Sequence, residues 1–369
     1  MMLTIFTERE TMQDTIRDII ASLPLPYLEQ DAISSKSLTK LSIEGTQVTL
    51  HLTLGFHLPI YYQQNWQQLL AEKLQTLQSD LQCTVHFKAK IQSHAPLKPT
   101  HTPVPKVKNI IAVASGKGGV GKSTTAVNLA LALAQTSAKV GLLDADIYGP
   151  NLPHMLGAQQ KPAVKNKQFT PIIAHGVQSM SIGYLIDTQT AMIWRGPMVS
   201  KALQQLIYDT TWDDLDYLVI DLPPGTGDIQ LTLSQKVPVA GAVIVTTPQD
   251  IALLDAQKGI EMFQTVDVPV IGLVENMSHY VCPHCDHHDP IFGEDGGTSL
   301  AYNYHTALLG QIPLSRELRQ AQDDGHPLVL SQPDSKTAHL YHDIALQIAA
   351  RLTLQPINYT AKFPPIAVT

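Results

Sequence analysis

Ser115-Gly116-Lys117-Gly118-Gly119-Val120-Gly121-Lys122-Ser123-Thr124 is the stretch that decides how this chain reads. Its core satisfies G-x-x-x-x-G-K-[ST], a phosphate-binding loop. Glycines let backbone N–H groups turn toward an anion, because they take positive φ at little cost. A helix beginning near Lys122 would add its positive dipole end. Lys122 is expected to reach the β- and γ-phosphates, and the Ser123 hydroxyl to ligate Mg²⁺. Because Lys122 would be open to ligand, its loss is expected to spare the fold. Asn109 to Ala114, just before the loop, is the short apolar run of a buried parallel strand. Thr124 to Ala134, just after it, has the Ala/Leu content of a helix.

Strand and helix patterns continue to alternate downstream. Val140–Leu143, Leu218–Ile220, Ala242–Val245 and Val270–Val274 are short apolar runs, separated by helical stretches that include Met198–Tyr208 and Asp250–Thr265. Such alternation predicts an α/β fold: a mostly parallel, doubly wound sheet of the P-loop NTPase kind. Two acids stand at predicted strand ends, where ligands of open α/β sheets bind. One group is Asp144-Ala145-Asp146; the other is Asp221, followed by Leu222-Pro223-Pro224-Gly225-Thr226-Gly227-Asp228. Asp221 fits the Walker B role of holding Mg²⁺ through water. The turn after it would form the switch that senses the γ-phosphate. Asn-Lys-x-Asp, the guanine signature, is missing: the one Asn-Lys pair, Asn166-Lys167, is followed by Gln168-Phe169. ATP is therefore the expected nucleotide.

Residues 92–108 contain Pro96, Pro99, Pro103 and Pro105, which resist helix and sheet. They predict an extended linker between residues 1–91 and an ATPase domain over 109–355, with a tail at 356–369. The first part reads as a small α/β (α+β) module. A helix is expected over Thr11–Leu23. A hairpin follows through Glu44-Gly45, with Val48, Leu50, Leu52 and Leu54 on its apolar face. Trp66, Leu69, Leu70 and Leu74 mark a second helix, ahead of a strand over Thr84–Ala89. Cys83 reads as a buried small hydrophobe.

The chain has 369 residues, 44% hydrophobic residues and a net charge of −7, the composition of a globular protein of more than one core. The acidic balance argues against a general nucleic-acid binder. No apolar run approaches the roughly 18 residues needed to span a bilayer. No basic-then-apolar leader is visible near Met1. Three cysteines make no disulfide framework. These readings predict a cytoplasmic protein that binds neither nucleic acid nor membrane.

Cys282-Pro283-His284-Cys285 follows the predicted strand at 270–274, among His279, His287 and His288. C-x-x-C serves redox, zinc and iron–sulfur sites alike. His287 or His288 could complete a zinc site within one chain. Alternatively, a symmetric pair of chains would bring four thiolates to one axis, the number a [4Fe–4S] cluster needs; a [2Fe–2S] cluster between two chains is also open.

The second loop lysine, Lys117, makes the pattern G-K-G-G-x-G-K-[ST], which resembles the deviant Walker A family of MinD, ParA and the nitrogenase iron protein. That resemblance implies an ATP-dependent homodimer in which Lys117 reaches the partner's nucleotide. It also implies that Asp146 orients the attacking water and that Asn276 contacts adenine. Taken with D-A-D-I-Y-G-P-N at 144–151, I-D-L-P-P-G-T-G-D at 220–228 and V-E-N-M-S at 274–278 before C-P-H-C, the chain resembles the Mrp/ApbC iron–sulfur cluster carriers over about residues 105–350. The resemblance implies that Gly116 to Thr124 bind ATP and that Lys117, Lys122 and Asp146 serve slow hydrolysis. It further implies that Cys282 and Cys285 hold a cluster passed on to apoprotein acceptors. The first module resembles the small domain such bacterial proteins carry, departing from it at Leu25-Pro26-Tyr27-Leu28-Glu29, where Asp-Pro-Glu is usual. Two alternatives stand beside this: a MinD- or ParA-like spatial-positioning ATPase, and a zinc-stabilised P-loop ATPase. Against the first, Pro364 and Pro365 would break a membrane-binding C-terminal helix.

Overall fold

The computed structural model describes residues 2–94, 98, 101–186 and 196–358. Pro96 and Pro99 of the expected linker, and the tail from Tyr359 with its two prolines, lie outside the described residues. The chain divides into two compact units, Met1–Ile91 with Ala349–Thr353, and Gln92–Ile348 with Leu354–Thr369.

The first unit is built on a three-stranded sheet, Leu38–Glu44, Gln47–Leu54 and Gln82–Ala89. The first two strands pair antiparallel through Gly45, at φ +60°, and the last two pair parallel. Val48, Leu50, Leu52 and Leu54 are buried while their alternates are half-exposed, the one-sided pattern expected of a sheet with one solvated face. The helix Ile60–Leu77 buries Trp66, Leu70 and Leu74. Leu69 is 52% exposed, because its helical position points away from the stripe the other three define. The first helix spans Met2–Ala21, starting well before Thr11. Cys83 is half-buried, and burial pushes its thiol up to about 11.

The second unit holds a nine-stranded sheet. Its parallel part runs, edge to edge, Val177–Ser181, Val140–Asp144, Leu215–Asp221, Val107–Ala114, Val239–Thr246, Val270–Val281 and Leu308–Leu314. Ile172–Ala174 and His288–Asp289 join it antiparallel. Its central strands are buried on every residue of Val140–Asp144, Leu215–Asp221 and Val239–Thr246, because helices cover both faces. The helix Lys122–Gln135 is buried nearly all round: Ala126 to Leu133 are fully enclosed. Since the strands are parallel, their C-terminal ends meet at one edge. Asp221 lies in register with both Asp144 and Val113, so the phosphate-loop strand and the two acidic strands end side by side. The α/β class and the parallel doubly wound sheet are as the sequence predicts.

Candidate functional site

The phosphate loop links Val107–Ala114 to Lys122–Gln135, and its glycines have distinct physical jobs. Gly121 holds φ +82°, and a Cβ there would stand 2.1 Å from Asn276 Nδ2. Gly116 is needed for a close approach, since a Cβ would meet the Asp255 carbonyl at 2.0 Å. Gly119 is also left-handed, whereas Gly118 faces open space. The helix has no side-chain cap at Gly121, so its first N–H groups are free to meet an anion.

Lys122 does not lie open. Its ammonium is bound to the Asp221 carboxylate, and both side chains are 6% exposed; the expectation that Lys122 is open to ligand is corrected on this point. Lys122 Nζ also reaches Ser123 Oγ at 3.4 Å. Burial pushes the Asp221 carboxyl up, while the Lys122 ammonium and the Ser123 hydroxyl pull it back. Ser123 and Asp221 thus place a hydroxyl and a carboxylate side by side, the hard oxygen donors that suit Mg²⁺. Lys117 stands exposed on the loop, and its carbonyl accepts from Ser115 Oγ at 2.9 Å.

The two acids at the neighbouring strand end divide in kind. Asp144 is fully enclosed. It accepts from Ser181 Oγ at 2.9 Å and from the Asp146 and Leu152 N–H groups at 3.0 and 3.3 Å. Burial, and then the charge of Asp221, push its carboxyl up to about 7. Asp146 is half-buried and accepts from Gly149 N–H. Asp146 faces a cavity of about 490 Å³ with Tyr148, Pro223, Pro224 and Gln230. Gln230 donates to the Pro223 and Pro224 carbonyls, and Gly225 N–H donates to the Ser115 carbonyl. The turn after Asp221 is therefore tied back to the phosphate loop.

Asn276 lies inside the strand Val270–Val281, which continues beyond the predicted end at Val274. Its Nδ2 donates to the Val120 carbonyl at 2.8 Å. Beside it a cavity of about 590 Å³ opens, lined by Gly121, Thr124, Asn276, Tyr280, Pro313 and Arg316 among others. Part of its wall comes from Pro313 to Asp323, and nothing local in the sequence marks those residues as neighbours of the loop. A mostly apolar cavity beside the first turn of a phosphate-loop helix suits a base and sugar.

Cys282 begins directly after that strand, at the turn of a short hairpin. Tyr280 pairs with Asp289 and Val281 with His288, and Cys282 N–H donates to the His287 carbonyl. Hydrogen bonds from the His284 and Cys285 N–H groups, and then from the Cys285 side chain, pull the Cys282 thiol down. Cys282 is half-exposed and Cys285 exposed. The His279 and His288 rings stack 4.7 Å apart. Among the described residues no group of three or more His, Cys, Asp and Glu is gathered to hold a metal ion. No helix among the described residues is long and apolar enough to cross a membrane.

Comparison with known proteins agrees with this geometry. A protein described as the iron–sulfur cluster carrier protein of Haemophilus influenzae is 47% identical over 360 residues, covering 96% of each chain. The iron–sulfur cluster carrier protein of Escherichia coli K12 is 61% identical over 251 residues, 68% of each. The mouse iron–sulfur cluster transfer protein NUBPL is 51% identical over 261 residues, 70% of this chain and 82% of that one. Among solved structures, an Archaeoglobus fulgidus nucleotide-binding protein in complex with ADP superposes with TM-score 0.56 at 36% identity, over 63% of this chain and 91% of that one. The Pyrococcus furiosus cell division ATPase MinD, at TM-score 0.50 and 24% identity over 65% and 98%, shares the fold. A family model described as "ParA: NUBPL iron-transfer P-loop NTPase" matches residues 106–349, and the chain belongs to that family.

Proposed function

We propose that this protein carries iron–sulfur clusters to apoprotein acceptors in the cytoplasm, binding and slowly hydrolysing ATP as a homodimer. The observation that carries the reading is the Cys282–Cys285 turn, in which backbone N–H groups of His284 and Cys285 converge on the Cys282 sulfur. N–H donors aimed at a sulfur stabilise thiolate and tune a bound cluster. Relatives named as cluster carriers support the same cargo. With Cys282 and Cys285 the two ligands from each chain, four-thiolate ligation of a [4Fe–4S] cargo needs two chains.

On the nucleotide side, the loop from Gly116 to Thr124 receives the phosphates of ATP on its N–H groups. Ser123, and Asp221 through water, would hold Mg²⁺, which neutralises phosphate charge. Lys122 then exchanges its carboxylate partner for the β- and γ-phosphates. Asp146, facing the cavity beside the switch turn, orients the attacking water. Lys117, exposed on the loop, extends to the partner's nucleotide. Asn276, held on the Val120 carbonyl and lining the base cavity, contacts adenine there. Phosphoryl transfer asks for little more than this positioning and charge neutralisation.

The test is anaerobic reconstitution with iron and sulfide. Wild type is expected to gain visible iron–sulfur absorption, with about two irons per protomer for a [4Fe–4S] cluster shared between two chains and about one for a shared [2Fe–2S] cluster. Cys282→Ala and Cys285→Ala are expected to lose it. Unchanged iron and sulfide binding in both variants would remove the reading.

A further inference from the structure

Strand Val270–Val281 touches both ends of the proposed chemistry. Asn276 grips the phosphate loop through the Val120 carbonyl, and Cys282 follows the strand's last residue. Between them the strand is irregular. Asn276 pairs with Ile312 and Tyr280 with Leu314, so Met277, Ser278 and His279 stand where the neighbouring strand has Pro313 alone. Pro313 has no N–H to give the ladder, which explains the local break. Met277 sits in the left-handed region at φ +54°, a strained conformation for a residue with a side chain, held only when its surroundings over-determine it. Those surroundings are visible. Met277 Cε comes to 4.0 Å from the position a Cβ on Gly121 would take. Ser278 Oγ donates to the Ile312 carbonyl and lies 2.9 Å from His279 Nδ1. His279 stacks on His288 across the thiol hairpin. Asn276, Met277 and Tyr280 also line the 590 Å³ cavity beside the loop.

We infer that the Met277–His279 bulge is a positioning device through which nucleotide in the cavity beside the phosphate loop sets the presentation of the Cys282 and Cys285 thiols. The inference rests on the reading of those thiols as cargo ligands and names how that site is regulated. A base entering the cavity meets Asn276, Met277 and Tyr280 directly. Any shift of Met277 out of its left-handed conformation passes along a chain of contacts only a few residues long. Ser278 fixes the bulge to the adjacent strand, and the His279–His288 stack joins it to the returning arm of the hairpin. An element with two discrete arrangements, biased from one site and read at another, is what coupling requires.

The test needs neither iron nor sulfide. Full-length metal-free protein carrying Cys83→Ala leaves Cys282 and Cys285 to react with dithionitrobenzoate, and the rate is read with and without saturating Mg-ADP. Nucleotide is expected to change the rate about fivefold or more. Ser278→Ala, which frees the bulge from Ile312, is expected to bring the ratio close to one while ADP still saturates; Met277→Gly, which removes a side chain that lines the cavity, is expected to do the same where ADP can be raised to saturation. Should Met277→Gly weaken ADP binding beyond saturation, Ser278→Ala carries the comparison, since Ser278 does not line the cavity. A ratio near one in the parent, or a full ratio in Ser278→Ala, overturns the inference. So does a ratio that grows with protein concentration, which would mean that pairing of chains covers the thiols. Because the readout is thiol reactivity, failure of this device and failure of cluster uptake are separate results.

Discussion

Lys122 and Asp221, 99 residues apart in sequence, form an ion pair buried at the C-terminal edge of the sheet. Removing one partner of such a pair leaves a charge that water cannot reach, at a cost of about 3–5 kcal/mol. Lys122→Ala is therefore expected to abolish ATP turnover and also to destabilise the fold. The variant's Asp221 loses the ammonium that holds its carboxyl down, and burial raises it further. A carboxyl raised in the folded state keeps its proton there after the unfolded chain has lost its own, so stability falls as pH rises. Urea unfolding at about pH 5 and about pH 8 should show the larger deficit at the higher pH. Lys122→Met combined with Asp221→Asn removes both charges and should recover much of the stability without recovering turnover. A single Lys122→Ala variant as stable as wild type at both pH values would contradict the pairing.

Asp144 supplies a second pH dependence with the same sign. Its carboxyl is pushed up to about 7 by burial and by Asp221, well above the ordinary carboxylate value near 4. Between those two values the unfolded chain has released a proton that the folded chain retains, so this group lowers stability progressively from about pH 4 to about pH 7. Asp144→Asn cannot ionise. Relative to wild type, the variant should gain with rising pH across that window and stay level above it. Parallel pH profiles for the two proteins would show that Asp144 titrates normally.

The strand, loop and helix around Lys122 were legible because each is dictated locally: β-branched run, glycines at left-handed turns, Ala/Leu helix. The alternation that gives a parallel sheet is likewise a local rhythm. What could not be read comes from chain-distant partners. Asp221 pairs with Lys122, and Pro313 to Asp323 wall the cavity beside the loop, only because the parallel sheet brings their strands to one edge. The apolar run marks a strand over Val270–Val274, and the residues beyond it, Glu275 and Asn276, are polar. In the fold Glu275 is buried, accepting from Gly297 N–H and Gln311, and Asn276 is buried on the loop carbonyl, so polarity did not mark a strand end. Leu69 shows the converse: an apolar residue one step from a buried stripe stays in solvent.

Lys117 separates fold from function. Its side chain is exposed, so Lys117→Ala should leave unfolding within about 0.5 kcal/mol of wild type, as for most surface positions. If Lys117 serves the partner's nucleotide, ATP should still bind while turnover is lost. Turnover at several protein concentrations, beside sedimentation with ATP, checks this. Full activity in the variant would show that the lysine does not act across a pair of chains.

Two glycines of the same loop give the last comparison. Gly118 has no neighbour within 4 Å of a would-be Cβ, whereas at Gly121 that atom would stand 2.1 Å from Asn276 Nδ2, on a backbone at φ +82°. Gly118→Ala should therefore fold like wild type. Gly121→Ala must either twist out of the left-handed region or push Asn276 off the Val120 carbonyl, at a strain of about 1–3 kcal/mol. Both adjustments displace the loop N–H groups on which phosphate would rest, so nucleotide affinity should fall along with the melting temperature. Calorimetric melts and ADP titrations of the pair measure this directly. Equal affinity and equal melting in the two variants would mean that the Asn276 contact neither shapes the loop nor constrains Gly121.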